Sequence, residues 1–103
     1  GHDVSFVCRR DLEALRTSGL RVESVDGDMS FSPKELKVHA SAGEIGEVDW
    51  VVLGLKTHAL AHVGPLVRPC LGTGTRILGI MNGFGVEEEM CAHFERERVF
   101  GAM

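Results

Sequence analysis

The hydrophobic positions of this 103-residue chain fall into short runs separated by polar turns. Val4–Cys8 (VSFVC) predicts a short buried strand, and Leu20–Val25 alternates apolar and polar residues as a half-exposed strand does. Asp49–Leu55 (DWVVLGL) is apolar almost throughout, which predicts a parallel strand covered on both faces. Arg76–Met81 predicts another buried strand, and Val99–Phe100 begins a last one.

Segments with helical spacing lie between these runs. Asp11–Ser18 predicts a helix with Gly19 as its C-cap, and Ser41–Val48 predicts one or two helical turns. His58–Leu71 carries apolar residues at helical spacing, with two prolines that bend or end the helix. Val86–Arg96 predicts a further helix.

A hairpin interrupts this alternation near the start. The Asp26–Asp28 turn contains the Asp-Gly pair typical of hairpins, and Met29–Phe31 and Leu36–His39 predict short strands broken at Pro33. Elsewhere strands alternate with helices, which indicates crossover connections and a mainly parallel sheet. We therefore expect a single α/β domain over residues 1–103.

The composition of the chain limits the classes of partner that it is expected to bind. The chain is 44% hydrophobic and 25% charged with a net charge of −4, so it has no basic field for nucleic acid or an anionic membrane. Its longest apolar stretch, Trp50–Leu55, is too short to span a bilayer. Cys8, Cys70 and Cys91 form no C-x-x-C pair, which fits buried thiols in a reducing compartment such as the cytoplasm.

Two arginines, Arg9 and Arg10, directly follow the predicted strand Val4–Cys8. In NAD-binding α/β domains an acid near the end of the second strand accepts a hydrogen bond from the ribose 2′-hydroxyl. A guanidinium at that place grips a 2′-phosphate instead, so this pair favours NADP. The alternative is a solvated turn with two basic side chains.

Lys56 and Asn82 follow two other predicted strands. Ligands of α/β sheets gather outside the carboxyl ends of the strands, so both side chains are candidates for ligand contact. Gly83 and Gly85 would let the backbone approach a ligand closely. The alternatives are a lysine that extends from a strand end into solvent and an ordinary strand-to-helix turn.

No metal site is predicted. His58 and His62 are four residues apart, but no Glu follows His58 as H-E-x-x-H requires, and no third ligand is evident. The acidic run Glu87–Glu89 is interpreted as solvated charge that complements a helix N-terminus.

Taken in order, these segments resemble the N-terminal, NADP-binding domain of the ketopantoate reductase (2-dehydropantoate 2-reductase) family. The stretches that carry the resemblance are GHDVSFVCRRDLEALRTSGL, VDGD, DWVVLGLKTHAL, GTRILGIMNGFGVEE and RVFGA. The resemblance implies a Rossmann-type fold and a full-length enzyme that reduces ketopantoate to pantoate with NADPH, in pantothenate and coenzyme A biosynthesis.

The resemblance also assigns roles to residues. Arg9 matches the arginine that contacts the 2′-phosphate, with Arg10 beside it, and Lys56 matches a lysine near the cofactor. Asn82 matches the Asn beside the nicotinamide and the substrate. The family's catalytic lysine is expected outside this chain. One departure is Ala59, where many members carry a polar residue such as Gln.

A second departure is larger, because the first strand and the G-x-G-x-x-G turn are absent, as is the helical C-terminal domain. We therefore expect an incomplete Rossmann-type sheet that is neither a stable monomer nor catalytic by itself. A homodimer of the full-length protein stays open. Two other functions also stay open: a non-catalytic nucleotide-sensing or interaction module on the same fold, and another hydroxy-acid dehydrogenase.

Overall fold

A computed structural model describes residues 2–81 and 85–102 of the chain. The chain divides into two compact units, Gly1–Glu44 and Ile45–Met103, each of which is described separately below. In the described part, no helix is both long enough and apolar enough to cross a membrane.

The described residues of the first unit, 2–44, form four short strands and one α-helix. Its elements are β1 (Ser5–Val7), α1 (Leu12–Ser18), β2 (Leu20–Val22), β3 (Met29–Phe31) and β4 (Lys37–His39). β1 pairs with β4 in parallel, and β2 pairs with β3 antiparallel. These elements confirm the strands, the helix and the hairpin predicted from the sequence, although β2 is shorter than expected.

Two glycines with positive φ shape this unit. Gly19 has φ 79°, ends α1 and donates its N–H to the Leu15 carbonyl at 3.0 Å, which confirms the predicted C-cap. A side chain at Gly19 would collide with the carbonyl oxygen of Phe31. Gly27, with φ 123°, donates to the Ser24 carbonyl at 3.1 Å in the hairpin turn. Both positions require the left-handed backbone that glycine adopts without strain.

The proline-interrupted segment between β3 and β4 forms a 3-10 turn, Pro33–Glu35. The Glu35 carboxylate accepts a hydrogen bond from the Ser32 backbone N–H at 2.6 Å, which fixes the entry to this turn. Further along, Arg16 of α1 donates to the Val38 carbonyl of β4 at 3.3 Å.

The prediction that β1 is buried is wrong. Val4, Phe6 and Val7 are 52%, 39% and 38% exposed. An apolar run shows that a strand prefers to be covered, but the cover must come from other elements. In the described residues β1 pairs only with β4.

In the second unit, the described residues 45–81 and 85–102 form a three-stranded parallel sheet with two short α-helices. Its elements are β5 (Val48–Leu53), α2 (Val63–Val67), β6 (Leu71–Ile80), α3 (Val86–Cys91) and β7 (Val99–Ala102). The strand order is β5-β6-β7, and both pairings are parallel. The strands predicted at Asp49, Arg76 and Val99 are therefore confirmed.

The core of this unit lies on one face of the sheet. The largest fully buried side chains are Leu60, Val63, Ile77 and Met90. They belong to one apolar cluster with Leu53 and other side chains of the same unit. Because alternate residues of a strand point to opposite faces, Val51 and Leu53 of β5, Ile77 of β6 and Val99 of β7 contribute to this cluster from one face of the sheet.

Several boundaries differ from prediction. The helix predicted over His58–Leu71 is broken into a 3-10 segment (Thr57–His62), α2 and a 3-10 turn (Arg68–Cys70). Proline lacks an N–H, and the second of the two prolines lies inside this last turn. The helical turns predicted at Ser41–Val48 are one 3-10 turn, Ala42–Glu44.

The helix predicted over Val86–Arg96 ends at Cys91. The backbone N–H groups of His93 and Phe94 both donate to the Met90 carbonyl at 3.0 Å, which closes a turn. Phe94 follows this turn and is buried in the core cluster. The sequence pattern had predicted that Phe94 would still lie within the helix.

β6 begins at Leu71, earlier than the predicted Arg76, because a polar network holds its first half. Thr75 is 2% exposed, and its hydroxyl accepts from the Gly72 N–H at 2.8 Å and donates to the Val48 carbonyl. The guanidinium of Arg98 donates to the carbonyls of Gly72 and Thr75 at 2.6 and 3.1 Å.

The prediction that β5 is covered on both faces is also wrong. Leu53 is buried in the core, whereas Trp50 and Val52 are 46% and 59% exposed. The sheet is nevertheless parallel and its strands alternate with helical segments, as in a Rossmann-type α/β fold.

Candidate functional site

The first candidate group follows β1. Arg9 lies in a bend and Arg10 in the turn before α1, and both are exposed. Cys8 anchors the start of this bend by donating its backbone N–H to the His39 carbonyl of β4 at 3.0 Å. Among residues 2–81 and 85–102, neither guanidinium has a hydrogen-bond or ion-pair partner. Both are therefore accessible to an anion at the carboxyl end of β1.

Lys56 follows β5 at the same kind of position. The strand ends at Leu53 and not at the predicted Leu55, and Lys56 has extended backbone with φ −75° and ψ 147°. Its carbonyl accepts from the Ala59 N–H at 2.9 Å, so it begins the 3-10 segment Thr57–His62. The side chain is exposed, and the described residues give its ammonium group no ion pair.

Asn82 and its neighbours Gly83 and Phe84 lie outside the described residues, so the role predicted for Asn82 stays a prediction. The structure describes the residues on either side of this segment. Met81 is buried directly after β6, and Gly85, with φ 72°, precedes α3.

A close contact between α3 and the sheet was not predicted. Gly79 of β6 and Gly101 of β7 are register partners. A Cβ at Gly79 would lie 2.7 Å from the Met90 sulfur, and the Glu87 side chain lies directly over Gly101. Glu87 is exposed in the first turn of α3, as the sequence interpretation expected, and its side chain also contacts β7 at Gly101. Two glycines on neighbouring strands were the available signal for this close approach.

The cysteine thiols and histidine imidazoles do not form a cluster that indicates a catalytic or metal-binding site in the described residues. Burial raises the pKa of the Cys70 thiol, so it is a poorer nucleophile than an ordinary cysteine. Cys8 and Cys91 are half-buried. Across the described ranges, no group of three His, Cys, Asp or Glu side chains is arranged to hold a metal ion.

Each unit presents cationic side chains after a parallel strand, where they could bind an anion. In Gly1–Glu44, two unpartnered guanidinium groups follow a parallel strand. Guanidinium is planar and carries paired donors that match phosphate oxygens. In Ile45–Met103, an ammonium group follows another parallel strand. Ligands of open α/β sheets bind at such ends, and dinucleotides are their common ligands.

A nucleotide-binding class of α/β domain is thus the class that this fold and these residues indicate. The chain belongs to the ketopantoate reductase PanE/ApbA family, whose model matches residues 1–103.

Curated relatives and solved structures agree with this assignment. The chain is 34% identical over 104 residues to the uncharacterized oxidoreductase YkpB of Bacillus subtilis, covering 100% of this chain and 33% of that protein. It is 31% identical over 103 residues to a 2-dehydropantoate 2-reductase of a Nostoc species, covering 100% of this chain and 32% of the relative.

A crystal structure of 2-dehydropantoate 2-reductase from Geobacter metallireducens has 42% sequence identity and a TM-score of 0.91. The match covers 98% of this chain and 33% of that one. The chain therefore spans about one third of the length of the proteins it resembles.

Proposed function

We propose that these residues are part of an NADPH-dependent reductase of a small 2-oxo acid, with 2-dehydropantoate as the leading substrate and pantoate as its product. We call the longer polypeptide, of about the relatives' length, the parent protein. Bound NADPH would supply the hydride that reduces the 2-oxo group. The name of the Nostoc relative supports this substrate, and that of the Bacillus subtilis relative leaves room for another 2-oxo acid.

The proposal of NADPH as the cofactor rests on Arg9, which lies at the carboxyl end of β1 and has no partner among the described residues. A ribose 2′-phosphate is a dianion that needs a donor with fixed geometry, and guanidinium provides one. Arg9 is exposed and forms no ion pair with any described residue, so binding a phosphate would not first require breaking one. Arg10, the next residue, would add positive charge at the same bend.

Lys56 and Asn82 are proposed for the nicotinamide end. Lys56 follows β5 and Asn82 follows β6, and these two strands are neighbours in one parallel sheet. Lys56 would contact the cofactor. Asn82 would orient the nicotinamide and the substrate through its amide group, which both donates and accepts hydrogen bonds.

The decisive experiment compares NADPH with NADH in the parent protein. Arg9→Ala should raise the Michaelis constant for NADPH by about tenfold to a hundredfold, because charge-assisted hydrogen bonds contribute about 1.5–3 kcal/mol. The constant for NADH should hardly change, since NADH has no 2′-phosphate. Steady-state kinetics with 2-dehydropantoate would measure both.

Arg21→Ala is a suitable control. Arg21 is an exposed arginine of the same unit, but it is paired with Glu23 at 3.2 Å and Asp28 at 3.6 Å. This substitution should leave both Michaelis constants unchanged. An enzyme that used NADH as well as NADPH, or an Arg9→Ala variant with an unaltered NADPH constant, would show that the cofactor assignment is wrong.

A further inference from the structure

Two basic side chains of the second unit converge on one point. Gly64 lies in the first turn of α2, and Arg68 follows it by four residues with helical backbone, φ −47° and ψ −43°. Side chains four residues apart lie on the same face of a helix, so Arg68 extends over Gly64. His93 reaches the same place from the turn that follows α3. A Cβ on Gly64 would lie 3.2 Å from His93 Nδ1 and 3.7 Å from Arg68 Nη2.

Gly64 allows this close approach because it has no side chain. It is buried, whereas Arg68 is exposed and His93 is half-buried. The backbone of Gly64 is helical and its φ is not positive, so any residue could adopt it. Glycine at this position therefore provides the space that brings the two basic groups together, and is not needed for a turn.

No acidic side chain balances these two basic groups in the described residues. Neither Arg68 nor His93 has a hydrogen-bond or ion-pair partner there, and the imidazole stacks only on the Phe94 ring, at 6.1 Å between centroids. Arg98 of the same unit, by contrast, is held by the Glu95 carboxylate and by two backbone carbonyls. Unpaired donors that converge from two elements are suited to bind an anion.

We propose that Arg68 and His93 bind the phosphate group of a small molecule, at a site separate from the nucleotide-binding edge. Arg68 lies at the amino end of β6, which begins at Leu71, whereas Lys56 lies beyond the carboxyl end of the parallel neighbour β5. β6 has 10 residues, so its two ends are about 30 Å apart. The site therefore adds to the proposed reductase function and does not depend on which cofactor the parent protein uses.

Phosphate suits this pair better than a carboxylate does. A phosphate group carries up to two negative charges and presents several acceptor oxygens, so it can accept from a guanidinium and an imidazole at the same time. A carboxylate carries one charge. The chain as a whole has a net charge of −4, so an anion must be held here by these local donors and not by the overall potential.

Titration of the parent protein with inorganic phosphate tests the site directly. The imidazole signal of His93 in proton–nitrogen correlation spectra is identified by its loss in His93→Gln. At constant pH we expect phosphate to shift this signal saturably, sodium chloride of equal ionic strength to leave it in place, and acetate to bind more weakly than phosphate. A signal that phosphate moves no more than chloride does would overturn the proposal, and tighter binding of acetate would overturn the choice of phosphate.

Substitution of single arginines locates the bound phosphate. Arg68→Gln should weaken phosphate binding by about tenfold or more, because it removes a charge-assisted hydrogen bond, and Arg68→Lys should recover part of the affinity. Arg9→Gln removes another exposed arginine that has no described partner, and should leave the response of His93 unchanged. Unaltered affinity in Arg68→Gln, or loss of the response in Arg9→Gln, would show that Arg68 and His93 do not form a separate site.

Discussion

The two units of this chain are built from similar elements but differ in how they bury them. Ile45–Met103 has a continuous apolar core, with Leu60, Ile77 and Met90 fully buried. In Gly1–Glu44, Ala42 is the only buried apolar residue among those described. The first unit relies on turns and caps, whereas the second relies on packing. The same apolar strand pattern therefore gives a sheet with one face buried in a core in the second unit, and strands without such a core in the first.

The largest expected difference between the units comes from removing a leucine. Leu60 is fully buried, so Leu60→Ala should lower the free energy of unfolding by about 2–5 kcal/mol, since it leaves a cavity. Leu12 of α1 is only half-buried, so Leu12→Ala should cost clearly less. Urea unfolding of the parent protein measures both. Equal losses would show that the first unit has a core of its own in the parent.

A smaller effect tests the packing of α3 inside the second unit. A side chain at Gly79 would meet the Met90 sulfur, whereas nothing lies within 4 Å of a Cβ at Gly74 in the same strand. Gly79→Ala should therefore destabilise the protein by about 1–3 kcal/mol through overpacking. Gly74→Ala should change stability by no more than about 0.5 kcal/mol. If thermal melts showed a larger loss of stability for Gly74→Ala than for Gly79→Ala, the close packing of α3 on β6 would be wrong.

The smallest effect belongs to the first unit and is local. Glu35→Ala removes the carboxylate that accepts from the Ser32 N–H, which should cost about 0.5–2 kcal/mol. Hydrogen exchange should accelerate at Ser32 and stay unchanged in β6, because β6 belongs to the other unit. Glu35→Gln keeps an acceptor and should show a smaller change. Equal acceleration in both units would mean that they unfold together.

Much of the fold was predictable because its signals are local. Gly19 ends α1 and Gly27 forms the hairpin turn, and both act through their own backbone conformation. The exposure of Trp50 and Val52 could not be predicted, because burial depends on which elements cover a strand. The early start of β6 was missed for a related reason, since the network around Thr75 joins residues that are distant in sequence.

The candidate site was partly predictable in the same sense. Arg9 and Lys56 could be placed after strands from the order of apolar runs, and both lie there in the structure. Their roles could not be derived from position alone, because an exposed cation has the same local sequence with or without a ligand. The contact between Glu87 and Gly101 was missed because it joins a helix to a strand that follows it.

The parallel pairing of β1 with β4 imposes an order of events during synthesis. An antiparallel hairpin such as β2–β3 can close as soon as its second strand leaves the ribosome. β1 must wait until β4 has also been made, because its partner residues are Lys37, Val38 and His39. Until then Phe6 and Val7 lack the one strand partner that the described residues give them. A nascent segment that carries β1 is thus open to mispairing and chaperone capture until β4 has been made.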